Sequence, residues 1–188
     1  MDKKFSAFGL SLLILALLVA TVLGFLMGLT HPLPWICLAL LGGVVYLHNQ
    51  LQRKNYLVWK DEYSVGIESI DKDHKKLLNL INQLQTASTN FTGEEFERNA
   101  LDELVKYTKY HFVREEKMME DNGYPQFAAH KKEHEAMVAE VVDRVSYYES
   151  NEEQAIDELL VYLKNWLINH ISGTDQQYSG FLKGKGVQ

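Results

Sequence analysis

The chain has 188 residues, 46% apolar and 23% charged, with a formal net charge of −6. Before residue 49 its only charges are Asp2, Lys3 and Lys4, which sum to +1, so the remainder carries −6 − 1 = −7. A part this acidic repels a phosphate backbone, so no nucleic-acid partner is expected. Cys37 is the single cysteine, which excludes a disulfide framework within the chain and a cysteine-based metal site.

From Phe8 to Leu29 there is no charge, and after the turn-like stretch Thr30 to Pro34 a second uncharged run extends from Trp35 to Leu47. The first run is about 22 residues, enough at about 1.5 Å per residue to cover a hydrocarbon layer of about 30 Å. The second, counted from Leu33 to His48, is about 16 residues and marginal, unless Trp35 and Tyr46 sit in the interfaces and the bilayer thins locally. Two transmembrane helices forming a hairpin over 1–48 are expected, with membrane lipid as a partner and His31 and His48 at the interfaces. A cleaved signal peptide is the alternative for the first run, but the run exceeds the usual apolar length and no A-x-A-like site follows. Lys3 and Lys4 precede the pair and Arg53, Lys54 and Lys60 follow it, while the connecting turn has no basic residue. Both ends should face the cytoplasm, giving a multi-pass protein of the inner (cytoplasmic) membrane. The Asn90-Phe91-Thr92 sequon would then go unused.

Residues 49–68 read as a connecting arm, with Trp59, Tyr63, Val65 and Ile67 available to pack on the helices beyond it. Residues 69–188 carry four helical stripes, each an apolar face at three- and four-residue steps. The first is Ile70, His74, Leu77, Ile81 and Leu84. Thr92 with Glu95 signals the second helix as a capping box, and its stripe is Leu101, Leu104, Thr108, His111, Glu115 and Met118. Asn122, Gly123 and Pro125 separate it from the third, Phe127, His130, His134, Met137, Val141, Val145 and Tyr148. Ser150 with Glu153 opens the fourth, Ile156, Leu159, Leu163, Trp166 and His170. Short links between such helices predict an all-α, antiparallel up-down-up-down four-helix bundle preceded by the two membrane helices.

Five of the seven histidines, His74, His111, His130, His134 and His170, fall on stripes otherwise made of Leu, Ile, Met and Phe. One such histidine is ordinarily a hydrogen-bonded core residue; five together with the Glu115 carboxylate are not. Burying them without a partner would cost several kcal/mol, a large part of the roughly 5 to 15 kcal/mol that holds a domain folded. A bound cation resolves this, because neutral imidazole nitrogen and carboxylate oxygen are its donors. His111 and Glu115 are four apart, as are His130 and His134, so each pair shares a helix face. His170 and Asp175 are five apart, which leaves them about 140° out of alignment in a regular helix. Either a helix end or a single π-turn near Gly173 is needed to bring Asp175 inward.

The segments Ile70-Asp71-Lys72-Asp73-His74, His111-Phe112-Val113-Arg114-Glu115, His130-Lys131-Lys132-Glu133-His134 and His170-Ile171-Ser172-Gly173-Thr174-Asp175 together resemble the hemerythrin signature. The arm, with Val58-Trp59 and Val65-Gly66-Ile67, is similar to that of bacterial members, and the likeness covers about residues 57–182. The resemblance implies two non-haem iron ions joined by an oxo or hydroxo bridge. One would be bound by His130, His134 and His170 and the other by His74 and His111, with Glu115 and Asp175 bridging and dioxygen as the ligand at the second iron. Leu77, Phe112, Trp166, Leu167 and Ile171 neighbour these positions and are the expected oxygen pocket, with plain core packing the alternative for each.

The implied function is reversible dioxygen binding, as a membrane-tethered carrier or store beside a membrane-bound oxygen-consuming enzyme, without catalysis. An oxygen, nitric oxide or redox sensor is one alternative, although no output domain is expected. A di-iron redox enzyme reducing nitric oxide or peroxide is another. Carboxylate-rich oxygenase sites use Glu-x-x-His pairs, and none of the five core histidines has Glu three residues before it. His130 to His134 also fits the His-x-x-Glu-His pattern of inverted zinc peptidases, but that reading leaves the other five positions unexplained and Glu133 is expected to be a solvated residue.

Overall fold

The uncharged N-terminal runs become two helices, α1 (Lys3–Leu26) and α2 (Pro32–Arg53), in a computed structural model that describes residues 3–53, 55–89, 93–150 and 154–187. They turn where Gly24 lies against Pro34, so closely that a Cβ on Gly24 would come within 2.9 Å of the proline ring. Phe25 meets Trp35 edge-on at 5.7 Å, and the Trp35 indole N–H donates to the Leu29 carbonyl. The Thr21 hydroxyl donates to the Leu17 carbonyl, which satisfies it within its own helix. Leu12, Leu15, Val22, Ile36 and Tyr46 face outward. Two stretches, Phe8–Leu26 and Pro32–Leu51, are long and apolar enough to cross a membrane. The second is 20 residues, longer than the span counted from Leu33 to His48, because it starts at Pro32 and the helix continues through Asn49 and Gln50 to Leu51.

The chain divides into two units, Met1–Tyr56 and Leu57–Gln188. In the second, the arm is fixed by side chains that replace missing backbone partners. Asn82 brackets Leu57, accepting from its N–H and donating to its carbonyl, both at 2.8 Å. After a 3-10 turn (Asp61–Tyr63), Asp71 accepts from the Ser64 hydroxyl at 2.5 Å and from the Val65 N–H at 2.8 Å. Ser179 donates to the Val65 carbonyl at 2.6 Å. Tyr63, Val65 and Ile67 are buried, and Trp59 packs half-buried on the core beneath the Lys75 ammonium, 4.7 Å from its ring.

Four helices follow: α3 (Glu68–Thr89), α4 (Glu94–Asp121), α5 (Phe127–Ser150) and α6 (Gln154–Asn169); a π-helical turn (His170–Thr174) joins the last to α7 (Asp175–Gly184). α3 packs on α4 and α6, and α5 packs on the same two. Gly123, at φ 68°, ends α4 in the left-handed region, and α5 begins two residues after Pro125. Of the two expected capping boxes, Thr92 and Glu153 lie outside the described residues. The α4 stripe departs from expectation past Glu115: Met119, four residues on, is fully buried, whereas Met118 is only half-buried.

The core is in two parts. One holds Leu77, Ile81, Leu104, Phe112, Met137, Leu163, Leu167 and Ile171 with their neighbours; the other holds Val65, Ile67, Ile70, Met119, Tyr124, Tyr178 and Leu182. Each such aliphatic or aromatic side chain contributes roughly 1.5–3 kcal/mol by leaving water. Along α3 the second cluster (Ile70) precedes the first (Leu77); along α4 the order reverses (Phe112, Met119), and it reverses again along α5 (Phe127, Met137) and from α6 into α7 (Leu167, Tyr178). The histidines and carboxylates sit between the two.

Candidate metal centre

Each helix delivers its polar residues at the crossing point between the two apolar clusters. His74 comes from α3, His111 and Glu115 from α4, His130 and His134 from α5, His170 from the π-turn and Asp175 from the start of α7, and all seven are buried. The five-residue spacing of His170 and Asp175 is absorbed by that π-turn, where the wider winding brings Asp175 round.

The side chains form two groups that share Glu115. His130, His134 and His170 converge with it: their Nε2 atoms lie 3.1 Å (His130 to His134) and 3.0 Å (His134 to His170) apart. Glu115 Oε2 is 3.5 Å from His130 Nε2 and 3.3 Å from His134 Nε2. His74 and His111 form the other group, with His111 Nε2 3.7 Å from the same oxygen. Asp175 reaches both: Oδ1 is 3.0 Å from His170 Nε2 and Oδ2 is 3.2 Å from His74 Nε2.

These approaches are close but mostly not hydrogen bonds. Both ring nitrogens of His74, His111 Nδ1, Glu115 Oε2 and both oxygens of Asp175 are buried without a hydrogen-bond partner. Each such atom costs about 1–3 kcal/mol if nothing pairs with it, so the cluster makes sense only around something that accepts several lone pairs at once. Nitrogen and oxygen donors, five neutral rings and two carboxylates, fit divalent transition-metal ions. Burial opposes ionisation of Glu115, yet His111, His130 and His134 hold it well below the usual carboxylate range. Burial and Glu115 push Asp175 up, and His170 and His74 outweigh them to hold it below its ordinary value. Burial opposes a charge on His111 and His170, but the facing carboxylates raise both.

A ring of outer contacts orients these groups. Tyr178 donates to Glu115 Oε1, and burial, then that carboxylate, push its phenol well above its ordinary pKa. His134 Nδ1 meets Glu116 at 3.0 Å. Glu133 is not simply solvated: although half exposed, it lies 3.5 Å from His170 Nδ1 and accepts from the Thr174 hydroxyl at 2.9 Å. Asp73 accepts from Tyr107 at 2.8 Å and from Arg114 at 3.1 and 3.2 Å. Burial opposes its charge, but the His111 and Tyr107 side chains and the Arg114 charge hold its carboxyl below the ordinary value.

Of the five residues expected to line a pocket, two stack on rings of the centre. Phe112 stacks on the His134 ring at 3.7 Å and Trp166 on the His170 ring at 4.2 Å, with 5.7 Å between the two aromatic rings. Leu77, Leu167 and Ile171 are buried in the same apolar cluster as Phe112, and Trp166 packs half-buried on its edge.

Residues 65–182 match the hemerythrin HHE cation binding domain. The chain belongs to the hemerythrin family. A bacteriohemerythrin of Stenotrophomonas maltophilia is 39% identical over 68% of this chain and 82% of its own. One from Pseudomonas aeruginosa is 40% identical over 65% and 79%, and a myohemerythrin of Theromyzon tessulatum 32% over 66% and 92%. A crystal structure of wild-type hemerythrin, 28% identical, superposes on 67% of this chain and 97% of that one with a TM-score of 0.59. The hemerythrin domain thus lies in the second unit, and α1 and α2 fall outside the match.

Sequence reasoning missed Asp73, Glu116, Tyr107, Arg114 and Tyr178 as site residues. Asp73 carried a signal, an acid beside a core histidine inside the segment that bears the family resemblance. Tyr178 sits three residues beyond Asp175 on the same face.

Proposed function

We propose that the cluster holds two iron ions and that the protein binds dioxygen reversibly, as a carrier or store tethered to a membrane. His130, His134 and His170 would hold one ion and His74 and His111 the other, with the carboxylates of Glu115 and Asp175 shared between the two. The observation that carries this reading is Asp175, whose two oxygens face one histidine of each group at 3.0 and 3.2 Å. A paired ferrous centre supplies the electrons that make dioxygen binding strong yet reversible. The group with two histidines offers one imidazole fewer, which leaves room for a small ligand. Five imidazoles against two carboxylates favour binding over oxidation of a substrate. Phe112 and Trp166, stacked on ligand rings, with Leu77, Leu167 and Ile171, keep bulk water from the pair. The reversal of cluster order from helix to helix supports an antiparallel bundle as the scaffold.

The apolar pair α1 and α2 forms a membrane hairpin on this reading, with both ends in the cytoplasm and lipid around its outward Leu, Val and Ile residues. Its use is to keep bound dioxygen close to a membrane-bound enzyme that consumes it. Purified protein loaded anaerobically with ferrous iron should develop near-ultraviolet and visible bands in oxygen and lose them under argon, over repeated cycles. Irreversible conversion at first exposure would replace the carrier with an enzyme, and zinc alone or no metal at all would end the reading. Leu167→Ala should speed autoxidation at constant iron content, because it opens the apolar cover beside His170; an unchanged rate removes Leu167 from the pocket.

A further inference from the structure

His74 and Asp73 are neighbours on α3, yet their side chains serve opposite sides of the same centre: His74 enters it, while Asp73 goes behind His111 on α4. We propose that Asp73 is a positioning residue that sets metal affinity at the two-histidine position selectively, acting through the outer nitrogen of His111. The inference rests on the two-metal reading above.

Asp73 is 3% exposed and fixed from α4 by Tyr107 and Arg114, which with His111 lie at successive turns of one face. Arg114 is itself anchored on its far side by Tyr110, to whose hydroxyl it donates and over whose ring it lies at 5.0 Å. The carboxylate therefore has a fixed place and a matched charge. Oδ2 stands 3.6 Å from His111 Nδ1, which has no hydrogen-bond partner. That is longer than a hydrogen bond, but less than an ångström of movement reaches the roughly 2.9 Å of an ordinary N–H···O contact. An anion at this nitrogen favours the tautomer with its proton there, leaving the Nε2 lone pair for a metal and making it a stronger donor.

The other outer nitrogens are served differently. His134 Nδ1 faces Glu116 at 3.0 Å and His170 Nδ1 faces Glu133 at 3.5 Å, so the three-histidine position draws on two acids. His74 Nδ1 has no hydrogen-bond partner. Among the described residues, Asp73 is thus the one acid behind a ring of the two-histidine position, and loss of its charge should fall on that position alone.

The test is an anaerobic Fe(II) titration of the full chain in detergent, with the melting temperature of the metal-free protein measured alongside. Wild type should bind two equivalents. Asp73→Asn should keep one at wild-type affinity and weaken the other about 10–100-fold. Added to His74→Ala, it should not change the equivalent that remains. Arg114→Gln, at a half-buried residue, should weaken the same equivalent more mildly and serves if Asp73→Asn does not fold. Equal weakening of both equivalents with a lowered metal-free melting temperature would make Asp73 merely structural and overturn the proposal, as would two unchanged equivalents in Asp73→Asn. Fewer than two equivalents in wild type would instead sink the two-metal reading, and the proposal with it.

Discussion

A buried imidazole offers its lone pair on one nitrogen and its proton on the other, and behind three of the five rings, those of His111, His134 and His170, stand acids that the eye passes over in the sequence. Six of the seven positions inside the centre are legible because they interrupt apolar stripes, a histidine where Leu or Ile should be being conspicuous; Asp175 lies on no stripe and is reached only through the family resemblance. Asp73, Glu116 and Glu133 are not legible, because they lie off the stripe among charged neighbours and look like any solvated helix face. Tyr107 shows what that hidden layer does. Burial and its hydrogen bond to Asp73 push its phenol up to about 12, so the folded state favours the neutral form. The resulting stability is complete below the unfolded value of about 10 and is lost as pH rises toward about 12. Tyr107→Phe lacks this contribution, so its melting temperature should fall less steeply than that of wild type above about pH 10. Identical slopes would show that the phenol ionises as freely in the fold as outside it.

At the scale of elements, the helices follow from periodicity, and the five-residue step from His170 to Asp175 asks for either a helix end or a π-turn; the structure has the π-turn. What periodicity could not supply is the course of the arm. Its apolar residues announce that it packs, but its path is set by the polar side chains of Asn82, Asp71 and Ser179, whose backbone partners lie 25, 6 and 114 residues away and so fall outside any helical pattern. The one-residue error at Met118 has a similar origin, because beyond Glu115 the inward face is set by contact with the arm and α7 as much as by α4's own pattern. Asn82→Ala removes both bonds to Leu57 and should cost about 1–3 kcal/mol in urea unfolding of the metal-free protein. No change would mean that the start of the arm is held by Trp59 and its apolar contacts instead.

Over the whole molecule, the second unit is built around atoms that repel one another unless something lies between them, so its stability should be tied to metal. At a free concentration a thousandfold above the dissociation constant, binding adds about 4 kcal/mol, which in a unit of this size is a rise of roughly 15 °C in melting temperature. Anaerobic iron-loaded protein should melt that much above the chelator-stripped form, and equal melting would detach the centre from folding. The first unit makes a separate prediction. If α1 and α2 span a bilayer, the chain should stay with the membrane fraction through an alkaline carbonate wash and leave it only with detergent; release by the wash would reduce the hairpin to a peripheral contact.

The π-turn between His170 and Thr174 carries more than one carboxylate. Each added residue swings the rest of the helix by about 100°, and Asp175, Tyr178, Ser179 and Leu182 all lie on its C-terminal side. Were that turn to tighten into ordinary winding with every residue kept, the Asp175 carboxylate, the phenol on Glu115, the hydroxyl clasping Val65 and a wholly enclosed leucine would leave their places in one stroke. The tail of the chain is in this sense a key cut along one edge, and the surplus residue is what turns it to fit.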